Sequence, residues 1–205
     1  MANTQAIDHV LCQAVHRQDV PGVVAMAATD QGVIYEGAYG TRALGTNEAM
    51  RLDRVVWIAS MTKAITAAAA MQLVERGQLW LDAPAADIVP ALAQARVLEG
   101  FDASGTPQLR APARAITLRH LLTHTANFFP GMPQHWGLSF LINTTPTPQG
   151  RAPGSLAWAG LANTFFWIDP AKRVTGVFVT QLLPFFDPKA IALFRAYETA
   201  LYQAL

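Results

Sequence analysis

The hydrophobic positions at the start of the chain predict a helix followed by a β-hairpin. Apolar residues recur every three to four positions over residues 7–15, which is the spacing of an amphipathic helix that Thr4 could cap. Pro21 and the following glycine end this pattern. Residues 23–28 and 33–35 are short apolar runs separated by turn-forming residues, so they indicate two paired strands.

The middle of the chain predicts helices and irregular segments. Residues 60–76 are rich in alanine, end before Gly77 and are apolar on nearly every side, which is typical of a buried helix. The proline-containing stretch 79–92 predicts irregular structure with one short helix, and residues 100–112 predict a polar loop. A second short helix is expected over residues 117–124, with its first residue, a threonine, as the cap.

The last third of the chain predicts strands and a final helix. The expected strands cover residues 136–143, 156–158, 164–168 and 174–181, with a loop over 144–154 and an amphipathic helix over 188–205. This order favours a mixed α/β fold, a mostly antiparallel sheet built from both chain ends and covered by helices. The two terminal helices would share one face of the sheet, and the helix at 60–76 would lie on the other.

Composition excludes several classes of function. Of the 205 residues, 52% are apolar and only 14% are charged, so the chain has ample material for a core and is not intrinsically disordered. A net charge of +1 gives no electrostatic drive toward nucleic acid or anionic lipid. The lone cysteine, Cys12, excludes an intramolecular disulfide and a cysteine metal site. Without a predicted membrane span or secretory signal, we expect a soluble, cytoplasmic protein.

The strongest chemical signal is the spacing of Ser60 and Lys63 at the start of the predicted buried helix. Side chains three residues apart lie on one face of a helix. A serine hydroxyl becomes a good nucleophile when a nearby base accepts its proton, and desolvation allows a lysine amine to be that base. Free N–H groups at the helix start would help to stabilise an oxyanion. The alternative is a helix-capping serine beside an unrelated lysine.

The residues around this pair resemble the serine β-lactamase and penicillin-binding-protein superfamily. The sequence is most similar to class C β-lactamase-like esterases and hydrolases. The similar blocks occur in the family's order and lie at residues 57–63, 73–77, 81–84, 116–125, 154–160 and 165–170. The resemblance implies one β-lactamase-like domain over residues 1–205.

The resemblance also implies a role for each site residue and a need for no cofactor or metal. Ser60 would be the acylated nucleophile, with Lys63 as its partner, and the backbone N–H groups of Ser60 and Leu161 would form the oxyanion hole. The segment expected to line the substrate site is Trp158, Ala159 and Gly160. Members that act on β-lactams carry a cation where Trp158 stands, so a neutral ester or amide is favoured over an anionic lactam. Packing on a strand is the alternative for Trp158.

Two departures from the family weaken this assignment. The family tyrosine that relays protons with the lysine is absent, because none of the four tyrosines (35, 39, 197 and 202) lies between Ser60 and Trp158. Residues 127–131 resemble the junction of an internal deletion that removes most of the helical domain. Loss of a positioned acid or base costs about 10²–10⁴-fold in rate, and loss of a covering domain exposes apolar surface. We therefore expect slow turnover and a tendency to self-associate.

Other interpretations stay open. His120 and His124 stand four residues apart on a predicted helix and could bind zinc, although no Cys, Asp or Glu accompanies them in that helix. Because the tyrosine is missing, the chain could also be a non-catalytic pseudoenzyme or binding module that keeps the cleft. A third hypothesis is an incomplete gene product without a function of its own. The partner expected for an enzyme is a small-molecule ester, amide or lactam.

Overall fold

A computed structural model describes residues 4–123 and 134–205. The predicted deletion junction at residues 127–131 and His124 lie outside the described residues. Within these ranges the chain forms two compact units, which we describe separately. The sheet unit comprises residues 4–65, 134–136 and 140–205, and the second unit comprises residues 66–123 and 137–139.

The main elements are four α-helices and nine strands in the described residues. The strands are β1 (Gly22–Thr29), β2 (Gly32–Gly40), β3 (Val97–Phe101), β4 (Pro107–Arg110), β5 (Gln134–Trp136), β6 (Leu141–Asn143), β7 (Leu156–Gly160), β8 (Thr164–Asp169) and β9 (Val174–Val179). The helices are α1 (Gln5–His16), α2 (Thr62–Glu75), α3 (Leu118–Leu122) and α4 (Pro188–Ala204). Short 3₁₀ turns occupy residues 59–61, 85–87 and 90–94.

The sheet unit contains one seven-stranded sheet, which confirms the predicted mixed fold. Every neighbouring pair is antiparallel, and the strand order is β2-β1-β9-β8-β7-β6-β5. The N-terminal hairpin therefore joins the C-terminal strands through the pairing of β1 with β9. As the sequence pattern predicted, both ends of the chain build the same sheet.

The core of the sheet unit lies between the sheet and the two terminal helices, which pack against each other. Helix α1 contributes fully buried Ile7 and Leu11. The ring of Phe194 from α4 stacks on Phe165 of β8 at 4.4 Å between centroids, and Trp167 contacts the same ring edge-on. These contacts confirm that the two terminal helices share one layer.

Asp169, at the end of β8, is a fully buried anchor of this core. Its carboxylate accepts hydrogen bonds from the backbone N–H groups of Ala152 and Lys172, at 2.9 and 3.0 Å, and from the Tyr202 hydroxyl at 3.0 Å. Burial alone would raise the pKa of Asp169, but these hydrogen bonds outweigh it and lower the pKa below its ordinary value. The ionised carboxylate therefore joins a loop, a turn and helix α4.

Helix α2 differs from the prediction of a buried helix. Ala64 and Ala67 are buried, but Ile65 is 62% exposed and Leu73 is 36% exposed. An alanine-rich helix carries little directional information, because small apolar side chains stand on every face. The expectation of burial was wrong because the described residues supply no layer over its other faces.

Two predicted segments contain more strand structure than expected. The predicted polar loop at 100–112 includes the end of β3 and all of β4, which pair as a hairpin. The single strand predicted over 136–143 is a β5–β6 hairpin, with Ser139 in its turn at a φ of +68°. The residues of β4 are exposed throughout, so no alternation of buried and exposed positions was there to reveal the strand.

The two predicted helix caps had different outcomes. Thr117 caps α3 in a capping box, because its hydroxyl accepts from the His120 N–H and its own N–H donates to the His120 ring. The Thr4 side chain makes no capping bond, and only its carbonyl accepts from Ile7 and Asp8.

None of the described helices is long and apolar enough to cross a membrane.

Candidate active site

The candidate nucleophile lies in a tight turn at the start of α2. Ser60 is the middle residue of the 3₁₀ turn that leads into the helix, and Met61 beside it is buried. Ala59 has a φ of +48°, a left-handed conformation that is uncommon for a residue other than glycine. Such a backbone persists only where the surrounding structure holds it, and functional sites are one place where it occurs.

The structure brings the Ser60 and Lys63 side chains together. Lys63 Nζ donates a hydrogen bond to Ser60 Oγ at 3.1 Å, as expected for two residues on one face of a helical turn. Lys63 is exposed, however, so the desolvation expected from a buried helix is not present. The catalytic roles of both residues stay predictions.

The end of β7 packs directly against the nucleophile turn. A Cβ atom on Gly160 would lie 2.2 Å from the Ile58 carbonyl oxygen and 2.3 Å from Thr164 Oγ1, so only glycine fits there without a shift. The Thr164 hydroxyl also reaches the Ile58 carbonyl, at 3.4 Å. Gly160 therefore lets strands β7 and β8 approach the turn that carries Ser60.

Leu161 lies in the turn between β7 and β8. The next carbonyl, that of Ala162, accepts from the Thr180 hydroxyl at 3.0 Å and from the Leu182 N–H at 3.3 Å. Asn163 Nδ2 donates to the carbonyls of Leu182 and Pro184. These bonds hold the turn that carries the second predicted oxyanion donor, whose role stays a prediction.

The predicted lining segment is divided between the two faces of β7. Trp158 is only 8% exposed, and its ring packs edge-on against Trp136 at 4.7 Å. The side chain of Ala159 points to the other face and belongs to the core under the terminal helices, because side chains alternate along a strand. Gly160, the last residue of this segment, packs against the Ile58 carbonyl just before the Ser60 turn.

All four tyrosines, which lie within the described residues, have structural hydrogen bonds. Tyr35 and Tyr39 donate to the Asp8 carboxylate, and burial raises the pKa of both hydroxyls. Tyr197 donates to the Met26 carbonyl, and Tyr202 bonds Asp169 as described above. None of the four hydroxyls bonds to Ser60 or Lys63, so the missing family tyrosine has no replacement among them.

His120 is the partner of Thr117 in the capping box of α3, so its Nδ1 already has a structural contact. Among residues 4–123 and 134–205, no group of three His, Cys, Asp or Glu side chains is arranged to hold a metal ion. The zinc interpretation also needs His124, which is outside the described residues.

Sequence reasoning missed Gln181, which follows β9. Its side-chain amide accepts from the Trp57 N–H at 2.9 Å and donates to the Trp57 carbonyl at 3.2 Å. The two residues are separated by 124 positions, so no local pattern could have linked them. The strained Ala59 was missed for a related reason, because an alanine gives no sign in sequence of a left-handed backbone.

The described residues combine a seven-stranded antiparallel sheet with a Ser-x-x-Lys pair at the turn that leads into α2. The chain belongs to the Beta-lactamase family, whose model matches residues 7–131. The fold is also similar to that of a solved structure: a mutant of simvastatin synthase from Aspergillus terreus superposes with a TM-score of 0.87 at 18% identity, over 96% of this chain and 94% of that one.

Two curated relatives have names that describe acyl chemistry. The acyltransferase mokF of Monascus pilosus is 41% identical over 119 residues, which are 55% of this chain and 29% of that protein. Lovastatin esterase of Penicillium rubens is 41% identical over 123 residues, which are 58% of this chain and 31% of that protein. The matched part is thus about three tenths of the length of these relatives.

Proposed function

We propose that this chain is a β-lactamase-like serine hydrolase that cleaves an ester or amide through an acyl-Ser60 intermediate. The observation that carries the proposal is the 3.1 Å hydrogen bond between Lys63 Nζ and Ser60 Oγ. This pair occurs in a strained turn that β7 and β8 pack against, within a chain of the Beta-lactamase family. The esterase and acyltransferase names of its relatives fit the same chemistry.

In the proposed reaction, Ser60 Oγ attacks the substrate carbonyl and its proton passes to the Lys63 amine. The backbone N–H groups of Ser60 and Leu161 stabilise the oxyanion, and the departing alcohol or amine takes the proton. Water then attacks the acyl-serine, releases the acid and restores the hydroxyl. An alcohol in place of water would give acyl transfer instead of hydrolysis.

The exposure of Lys63 sets a condition on this mechanism. A lysine amine accepts a proton only in its neutral form, which desolvation favours. The substrate, by covering Lys63, would have to supply the desolvation that the free structure does not. Together with the missing tyrosine, this predicts slow turnover. A neutral substrate is favoured over an anionic lactam because Trp158 offers no cation to a carboxylate.

A non-catalytic binding module is the second candidate, and two observations favour it. No tyrosine hydroxyl reaches the Ser60–Lys63 pair, and Lys63 is exposed to solvent. A fragment with no function of its own is the third. In our proposal the chain forms a single domain with a deletion junction near residues 127–131. An esterase assay and light scattering test the slow turnover and self-association that this deletion would cause, and full family-like turnover by a clean monomer would contradict both.

Active-site labelling separates these candidates. We expect a fluorophosphonate to add one adduct to the intact protein, detected by mass, and the adduct to disappear in Ser60→Ala. Ser104→Ala, in the exposed turn after β3, is the matched control and should label like the parent protein. Hydrolysis of a neutral p-nitrophenyl ester should be lost in Ser60→Ala alone. Ligand binding without an adduct supports the binding module, and an aggregated, unlabelled chain supports the fragment.

A further inference from the structure

The segment that leads to Ser60 is held by the side chain of a distant residue. Gln181 Oε1 accepts the Trp57 N–H at 2.9 Å, and Gln181 Nε2 donates to the Trp57 carbonyl at 3.2 Å. One side-chain amide thus satisfies both backbone groups of a single residue, as a neighbouring strand would.

Side-chain packing holds this segment only in part, because Val56 and Ile58 are half-buried. Val55 is fully exposed, and Trp57 is 54% exposed. Residues 55–58 belong to no helix or strand. The two hydrogen bonds from Gln181 are therefore a specific fixed point three residues before Ser60.

The two residues between Trp57 and Ser60 couple the position of the Trp57 backbone to the position of the nucleophile. The Ile58 carbonyl accepts from the Met61 N–H at 3.1 Å and contacts the Thr164 hydroxyl. Ala59 then takes its left-handed conformation, with a φ of +48°. A sparsely populated backbone of this kind relaxes when its neighbours stop holding it, so the Ser60 position depends on the segment before it.

Gln181 is itself tied to the turn that carries Leu161. Thr180, the preceding residue, donates its hydroxyl to the carbonyls of Ala162 and Asn163, both at 3.0 Å. Thr180 is fully buried, and these bonds tie the residue before Gln181 to the Leu161 turn. Thr180 and Gln181, the two residues that follow β9, therefore hydrogen-bond to both regions: Thr180 to the Leu161 turn and Gln181 to the segment before Ser60.

We propose that Gln181 is a positioning residue that fixes Ser60 relative to the Leu161 turn. Its amide holds the Trp57 backbone, and this keeps the strained Ala59–Ser60 turn in place beside β7. The expected effect of Gln181 on catalysis rests on the proposed function. Its expected effect on the backbone of residues 57–61 does not. Gln181 touches neither Ser60 nor Lys63 in its described hydrogen bonds, so it acts through the segment it holds.

Two variants and a control test this role. Gln181→Ala removes both bonds to Trp57, whereas Gln181→Glu keeps an acceptor for the N–H but loses the donor to the carbonyl. Gln31→Ala is the matched control, because Gln31 is an exposed glutamine in the β1–β2 turn. Its described hydrogen bond, to the Thr29 hydroxyl, comes from the backbone N–H and would survive the substitution. The measurements are the rate of fluorophosphonate labelling at Ser60, kcat and KM for a neutral ester, and hydrogen exchange by mass spectrometry.

We expect Gln181→Ala to lower the labelling rate and kcat by about ten- to a hundredfold, since a misplacement near 1 Å costs up to that much, with KM changed little. Exchange should become faster in residues 57–61 and stay unchanged in β1, β8 and β9. Gln181→Glu should label at an intermediate rate, and its rate relative to the parent protein should rise as pH falls, because a protonated carboxyl can donate to the Trp57 carbonyl. Gln31→Ala should match the parent.

Unchanged exchange at residues 57–61 in Gln181→Ala would overturn the proposal. Faster exchange spread through the whole sheet would overturn it too, because Gln181 would then be a general structural residue. If the parent protein labels and Gln181→Ala labels equally fast, the positioning role is also wrong. If the parent protein does not label at all, the proposed function fails, and the exchange measurement alone decides the inference.

Discussion

The two units of this protein use their apolar residues in different ways. The sheet unit buries a continuous cluster of 19 side chains between its strands and the two terminal helices. In residues 66–123 and 137–139 of the second unit, the buried residues are Ala67, Leu122 and Ser139. Its large apolar side chains are mostly at the surface, with Trp80 at 65% and Ile88 at 63% exposure.

This difference teaches where the stability of the chain resides. Burial of apolar area is the dominant favourable term in folding. The sheet unit, which buries most of the apolar side chains, therefore contributes most of the free energy that stabilises the described residues. The second unit is held by capping, turns and exposed ion pairs, such as the paired hydrogen bonds from Arg119 to Asp82 at 2.6 and 2.7 Å. Exposed pairs contribute little because water screens them. The Ser60–Lys63 pair itself lies in the sheet unit, at its boundary in the sequence.

The largest expected effect comes from truncating an aromatic side chain in each unit. Phe194→Ala removes a ring that stacks on Phe165 and should lower the free energy of unfolding by about 3–5 kcal/mol. Trp80→Ala removes an exposed ring and should change it by less than about 0.5 kcal/mol. Urea unfolding followed by circular dichroism measures both. Equal losses in the two variants would show that the second unit has a core of its own.

A smaller effect is expected from adding one methyl group to a strand in each unit. In Gly176→Ala the new Cβ would lie 2.2 Å from the Trp167 ring, and overpacking of this kind costs about 1–3 kcal/mol. In Gly100→Ala, on β3, the new Cβ meets nothing within 4 Å, so no clash arises. The thermal midpoint should fall in the first variant alone. A comparable fall in Gly100→Ala would mean that β3 is packed more tightly than its exposure indicates.

The smallest expected effect is on how the free energy of unfolding changes as the pH is lowered. Hydrogen bonds lower the pKa of Asp169 in the folded protein, so the stability it contributes is fully present above the ordinary value of 3.8 and is lost as pH falls through the lowered value. Asp169→Asn should therefore be less stable than the parent protein at pH 7, and the difference should shrink as pH falls toward 3. Urea midpoints across this range measure it.

Asp102 provides the matched control from the second unit. The Ser104 hydroxyl and the backbone N–H groups of Thr106 and Ser104 lower its pKa, but it lies in an exposed turn. Solvent screens such a group, so Asp102→Asn should leave the acid dependence of unfolding nearly unchanged. An acid dependence as strong as that of Asp169→Asn would contradict the contrast between the units.

The sequence predicted best where side-chain periodicity and burial agree. The terminal helices α1 and α4 and the strands β1, β2, β7, β8 and β9 were foreseen, because the core covers an apolar face of these elements. The β5–β6 hairpin was predicted as one strand. A helix was correctly predicted at α2, but its expected burial was wrong, and the β3–β4 hairpin was predicted in part as a loop. An apolar helix is buried only if another layer exists to cover it, and the pattern cannot say whether one does.

The sequence by itself determined that the Ser60 and Lys63 side chains lie close together, because residues three positions apart are neighbours on one face of any helical turn. It also determined the order of elements and the absence of a tyrosine between the nucleophile and β7. The tertiary structure alone decided that Lys63 is exposed, that Gly160 lies against Ile58, and that Gln181 holds Trp57. These contacts join residues about a hundred positions apart, and such contacts arise only when the whole sheet has formed.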